Sequence, residues 1–167
     1  MKLKASLDLP AKIITLVYAV FCLAFCIYAI NICFEPGTDL EGKIIMGSIA
    51  VLLFGILIFT WLYSPKYYVV TSDSIVVNRA IGKKAFLLSE IESISLIAEN
   101  EIKSVTRVMG VGGLFGYFGR FQSHNIGMST FYTTQRKNLT LLRLKNGKKV
   151  VLSPDENTSL INVLNRS

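Results

Sequence analysis

Two uninterrupted apolar runs dominate the first 65 positions. Ile13 to Phe34 has 22 residues without a charge, and Ile44 to Tyr63 has 20. As helices, both are long enough to cross a hydrocarbon core of roughly 30 Å at about 1.5 Å per residue. The connector EPGTDLEGK, with one Pro and two Gly, predicts a hairpin turn. Trp61 and Tyr63 stand where an interfacial aromatic belt would be, and Ser64, Pro65 and Lys66 end the second helix. Lys2, Lys4 and Lys12 precede the first run as they would in a signal peptide. The run exceeds an ordinary signal core of about 7 to 15 residues, lacks a small-residue cleavage site, and is followed at once by a second span. Cys22, Cys26 and Cys33 are spaced to share one helix face as small packing residues, and Gly47, Ala50 and Gly55 are expected to let the hairpin close tightly.

After Pro65 the period changes. Lys66–Thr71, Ser74–Ala80 and Lys84–Leu88 are short β-rich runs separated by the turn signals Ser72-Asp73 and Gly82-Lys83. Ile91–Ala98 begins with the alternation of a half-buried strand, and Ile126–Thr134 continues the pattern. Leu139–Leu144 and Lys148–Leu152 form the clearest hairpin, around Asn146-Gly147, a pair suited to positive φ. Seven such strands predict a sandwich or small barrel. Ser153-Pro154-Asp155-Glu156 reads as a helix start with a capping box, and Leu160, Ile161 and Leu164 supply one apolar face for a terminal helix.

Charge divides the chain in the same place. The 167 residues carry a net charge of +7 with 51% hydrophobic and 17% charged residues, and the mean hydropathy is +0.49. That hydropathy excludes an ordinary soluble globular protein, and the low charge excludes a disordered chain. Up to Pro65, four Lys balance four acidic residues, so the whole excess lies beyond it. All three Cys lie in the first apolar run, which argues against a secreted disulfide scaffold. Lys2, Lys4 and Lys12 before the first span and Lys66, Lys83 and Lys84 after the second outweigh the connector, where Lys43 stands beside Glu35, Asp39 and Glu41. By the positive-inside tendency both termini are expected in the cytoplasm, with the chain a multi-pass protein of the inner membrane. Neither span holds an ionisable Asp, Glu, Lys, Arg or His, so an ion or proton pathway has no carrier.

The stretches YYVVTSDSIVV, LLSEIESI, GVGGLFGYFGRF, FYTT and LRLKNGKKVVLSPDE together resemble the membrane-anchored bacterial pleckstrin-homology (PH) domain family. The resemblance implies a transmembrane hairpin at 1–65, with spans at 13–34 and 44–63, and a PH-like domain at 66–167. That domain would be a seven-stranded, strongly bent barrel capped by a C-terminal helix. It implies no chemistry and no cofactor.

Val108 to Gly119 is uncharged, contains five Gly, and is bracketed by Arg107 and Arg120. Three readings stand side by side. The glycines could cradle a phosphate, although neither a dinucleotide fingerprint nor a Lys-Ser/Thr pair is present. Leu114, Phe115, Tyr117 and Phe118 could form a loop that dips into the bilayer interface while Arg107 and Arg120 meet lipid phosphates. Or the glycines permit a sharp bend and the aromatics fill the core. Basic residues at Lys83-Lys84, Arg136-Lys137 and Lys145, Lys148 and Lys149 form either a surface for anionic headgroups or solvated hairpin tips. Lipid-binding eukaryotic PH domains hold phosphoinositides with a basic first hairpin, whereas here that turn is the short, acidic Thr71–Ser74. No nucleic-acid reader motif is present, and the single His124 lies between Ser123 and Asn125 in an apparent loop, so an enzyme is not expected. The chain reads as a non-catalytic binding domain shown at the membrane face. Its partners would be the bilayer, anionic lipid headgroups, another membrane protein or its own copies. The rival reading is an accessory subunit of a membrane complex that acts through its hairpin.

Overall fold

A computed structural model describes residues 1–98 and 105–156. Two long helices, α1 (Leu9–Phe34) and α2 (Leu40–Tyr63), form an antiparallel pair. They end at the predicted residues but begin about a turn earlier. Asp8 caps α1 by accepting from the Ala11 N–H, and Asp39 caps α2 by accepting from Gly42. Lengths of 26 and 24 residues give about 36 to 39 Å of helix. Both are candidate membrane-spanning helices by length and composition. Their buried residues are few, Ala11, Cys22 and Ala29 on α1 and Thr60 on α2, so neither is a core helix of the described chain.

The expected cysteine face is present. Cys22 is buried, its Sγ 3.9 Å from the Leu53 carbonyl, which also accepts from Tyr18 at 3.2 Å. The glycines do not have the expected role: a Cβ at Gly47 or Gly55 would meet nothing within 4 Å, so the helices do not close over them.

The remaining described residues are mainly β structure, ten strands in two sheets, with one short 3-10 turn at Leu88–Glu90. β1 (Lys2–Lys4), β2 (Pro65–Val70), β3 (Ser74–Arg79) and β4 (Lys83–Leu87) form one antiparallel sheet in chain order. The second contains β5 (Ile91–Leu96), β6 (Val105–Gly113), β7 (Gly116–Ser123), β8 (Gly127–Thr133), β9 (Thr140–Leu144) and β10 (Lys149–Leu152). Its order is β5-β9-β10-β8-β7-β6, and β10 runs parallel to β8. The sheets are not closed into a barrel. The seven runs read from the pattern appear as β2, β3, β4, β5, β8, β9 and β10, each shifted by two residues at most. The three additional strands are β1 and the pair β6–β7, which takes up the Gly-rich stretch. The predicted helix start at Ser153–Glu156 is not helical, because the Ser153 hydroxyl serves Thr134 and Gln135 instead of a following turn; the apolar face at Leu160, Ile161 and Leu164 lies outside the described residues. Ser153 is buried, and its Oγ accepts from the Thr134 N–H at 2.8 Å, tying β10 to the end of β8.

Two apolar clusters fill the interior. Leu3, Tyr68, Ile75, Val77, Phe86, Leu142 and Leu152 belong to one; Ala11, Tyr117, Phe121, Phe131, Leu141 and Val151 belong to the other. Leu3 and Ala11 come from the N-terminal segment, so residues before the first span pack inside the β structure. Tyr68 is wholly buried and donates to the Tyr132 carbonyl at 2.7 Å; burial raises its hydroxyl pKa to about 12.

Candidate functional site

The strand directions give the β structure two ends. Ser64 alone separates α2 from β2, which runs away from the helix, and β3 returns. The β3–β4 turn therefore comes back to α2, where the Ile81 N–H donates to the Leu62 carbonyl at 3.1 Å. The β6–β7 turn reaches the same end: the Phe115 N–H donates to Thr15 Oγ1 at 3.0 Å, and Gly113 lies against Ile14. Gly113 has φ +119, and a Cβ there would come within 2.8 Å of Ile14 Cδ1. Glycine thus allows this turn to seat on the first exposed turns of α1.

The opposite end holds the Thr71–Ser74 turn, the β7–β8 turn with exposed His124, and the β9–β10 turn. Leu88 N–H bonds to Asp73, and Lys145 N–H to Glu90, so these turns are neighbours. At about 3.3 Å per residue, five- and six-residue strands place this end roughly 20 Å from the helices.

The N-terminal segment strengthens the helix-proximal end. β1 pairs with β2, Lys2 opposite Val69 and Lys4 opposite Tyr67, and Lys2 Nζ lies 4.1 Å from the centroid of Tyr67. Asp8, besides capping α1, accepts from the Arg136 N–H at 3.1 Å and lies 3.4 Å from the Tyr117 hydroxyl. Burial, then the nearby Asp8 charge, raises the Tyr117 pKa. Ser6 and Asp155 are joined by two hydrogen bonds of 3.0 and 2.6 Å. Strand, cap and loop together fix the β structure to the start of α1.

The candidate residues from the sequence fall into separate groups. Within the Gly-rich stretch, Leu114 and Phe115 are half-buried at the hairpin tip against the helices, while Tyr117 and Phe118 are buried on β7. The five glycines sit in or beside the β6–β7 ladder, where Gly110 pairs with Gly119, and not in a loop that leads into a helix, so the geometry of a phosphate cradle is not formed. A Cβ on Gly119 would come within 2.3 Å of the Met109 carbonyl oxygen, so that pairing requires glycine. Arg107 and Arg120 are exposed and start four or more residues up the strands from the tip; the Arg107 side chain reaches back beside Gly112, where a Cβ would lie 3.6 Å from its Nη1, whereas Arg120 stands on β7 opposite Met109.

The basic residues divide likewise. Lys83 and Lys84 begin β4 at the helix-proximal end and are exposed. Lys145 and Lys148 are exposed at the opposite end. Lys149 is turned inward, donating to the Ile126 carbonyl at 2.7 Å. Arg136 lies 4.8 Å from the Tyr117 ring centroid. With Arg107 and Lys137 it borders a cleft of about 650 Å³ whose walls include Val105, Tyr117, Phe121, Phe131 and Leu139.

Sequence reasoning missed how the cations nearest the helices are held. Lys66 Nζ lies 4.6 Å from the Trp61 ring centroid and 5.8 Å from that of Phe115. The Arg79 guanidinium lies 5.5 Å from Tyr63. Pro65 pairs with Arg79, and the register shifts across Lys66. Trp61 and Tyr63 as an aromatic belt and Lys66 as an orienting charge are legible in the sequence, but their pairing with one another and with Arg79 is not.

The family described as bacterial PH domain matches residues 66–167. No curated protein and no solved structure matches the chain.

Proposed function

The chain belongs to the bacterial PH domain family, and from that premise we propose that it is a membrane-anchored, non-catalytic binding module. Its β structure is displayed at the cytoplasmic face, clamped upright on a transmembrane hairpin, with the helix-proximal end at the bilayer surface and the opposite end toward cytoplasmic partners. The observation that carries this reading is the set of ties around the junction. Asp8 with Arg136, Thr15 with Phe115, and Ile81 with Leu62 join three β turns or loops to the start of α1 and the end of α2, which together make one end of the helix pair. A domain on a loose tether would not need them. The exposed apolar surfaces of α1 and α2 support the anchor, since a surface of that size is stable only in apolar surroundings. The cytoplasmic assignment rests on charge: Lys12, Lys66, Arg79, Lys83 and Lys84 surround the junction, against Lys43 among Glu35, Asp39 and Glu41 at the far turn.

Photo-crosslinking in native membranes tests the function. A crosslinking residue at Met109, which is 71% exposed on β6, or at Asn146 is expected to capture a protein partner or a second copy. One at Val51, 74% exposed on α2, is expected to capture lipid alone. Protein adducts confined to Val51 would transfer the function to the hairpin and support the accessory-subunit reading.

A further inference from the structure

We propose that Lys66 and Arg79, seated on Trp61 and Tyr63 around the end of α2, each hold the phosphate of an anionic lipid headgroup at the junction of α2 and the first sheet. The site rests on the membrane reading above but goes beyond it, because it assigns lipid selectivity to two particular side chains.

The two cations are positioned but not neutralised. Among the described residues no carboxylate lies within ion-pairing distance of either, and no carbonyl or hydroxyl accepts a hydrogen bond from their side chains. The Arg79 Nε is buried and has no hydrogen-bond partner. Lys66 is partly desolvated, and that burial lowers its pKa. Aromatic faces hold both groups, but a ring face attracts a cation without satisfying its N–H donors. The donors that remain open, the Lys66 ammonium and the outer Arg79 nitrogens, suit an acceptor carrying negative charge, and a phosphate oxygen matches each.

Location selects the lipid as the source. Trp61 and Tyr63 are in the last turn of α2, at the end of a 20-residue uncharged run, so their cations stand at headgroup height when that run fills the hydrocarbon. Ile81, 51% exposed at the β3–β4 tip beside Leu62, gives the same border an apolar contact. Lys83 and Lys84 follow it and add general attraction; Lys84 Nζ lies 6.0 Å from the Phe86 ring centroid, farther than Lys66 from Trp61 or Arg79 from Tyr63.

The only Trp of the chain reports on the site directly. The full chain would be reconstituted in nanodiscs of zwitterionic lipid containing increasing fractions of phosphatidylglycerol, and Trp61 emission recorded. A saturable change is expected for the native chain. In Lys66→Gln/Arg79→Gln the half-saturating fraction is expected to rise on the order of tenfold or more, as the loss of two surface cations implies. Lys145→Gln/Lys148→Gln is expected to leave it unchanged. Inorganic phosphate added to zwitterionic discs is expected to leave the emission unchanged; a response equal to that of the lipid would overturn the headgroup assignment in favour of a soluble anion. A chain that inserts and responds identically with and without Lys66 and Arg79 overturns the site alone. A chain that does not enter discs overturns the membrane reading and the site together.

Discussion

Two hairpins look interchangeable in the sequence and stand at opposite ends of the molecule. Gly82 precedes Lys83-Lys84, Gly147 precedes Lys148-Lys149, and the glycines adopt nearly the same conformation, φ +75 and +79. The first turn bonds to the last turn of α2; the second lies near Glu90, roughly 20 Å away. The Debye length at physiological salt is about 8 Å. With a bilayer around the helices, as proposed, a lysine pair at the first turn would lie within the field of its surface and one at the second outside it. Strand direction, and not local composition, decides what a basic turn can bind.

The comparison is most strongly tested by loosening the helix-proximal end. Asp8→Ala removes the α1 cap together with the acceptor for Arg136 and Tyr117, and is expected to cost about 2 to 4 kcal/mol in thermal melts of the detergent-solubilised chain. A loss below about 1 kcal/mol would mean that the junction is not clamped by these bonds.

The next effect depends on pH. Tyr68 joins the sheets, and its pKa rises from 10.0 to about 12 on folding, so its contribution is intact below pH 10. As pH rises through 10 toward 12 the unfolded chain loses this proton first, and stability is expected to fall by about 2 to 3 kcal/mol. Tyr68→Phe should flatten that alkaline limb; an unchanged limb would assign it to other groups.

Gly82→Val and Gly147→Val are each expected to cost about 1 to 3 kcal/mol, because both force a β-branched residue to positive φ. They differ in what else they disturb. Gly147 has open space around it, whereas a Cβ at Gly82 would lie 3.5 Å from an Arg79 Nη. Only Gly82→Val should also alter the anionic-lipid response of Trp61.

The smallest effect comes from charge reversal. Lys83→Glu/Lys84→Glu is expected to weaken association with anionic bilayers by about 1 kcal/mol per charge, and Lys145→Glu/Lys148→Glu by almost nothing. Equal effects would place both turns near lipid.

Most strands were legible because apolar alternation and turn residues agree locally, as in the Asn146-Gly147 hairpin. The helices were legible because their apolar runs end in charges or Pro. β6 and β7 were not, because glycine at five of twelve positions removes the alternation that marks a strand, and their pairing depends on the close approach of Gly110 to Gly119. β1 was hidden by its three residues, Lys2, Leu3 and Lys4, which resemble a positive flank; only contact with β2 makes them a strand. The basic turns were visible, but their separation was not, since it requires the pairing of distant strands, including the parallel β8–β10 ladder. Lys66 and Arg79 lie 13 positions apart in sequence, and only the β2–β3 register brings them to one end of α2.

Depth in the bilayer tests the upright arrangement most directly. In a chain with Cys22, Cys26 and Cys33 replaced by Ala, a single fluorophore at Lys84 or at Asn146 would be measured by energy transfer to labelled headgroups in nanodiscs. The label at Lys84 is expected at headgroup level and the label at Asn146 roughly 20 Å farther out. Equal distances from the headgroups, or Asn146 nearer than Lys84, would contradict a domain held with its β3–β4 turn against the membrane.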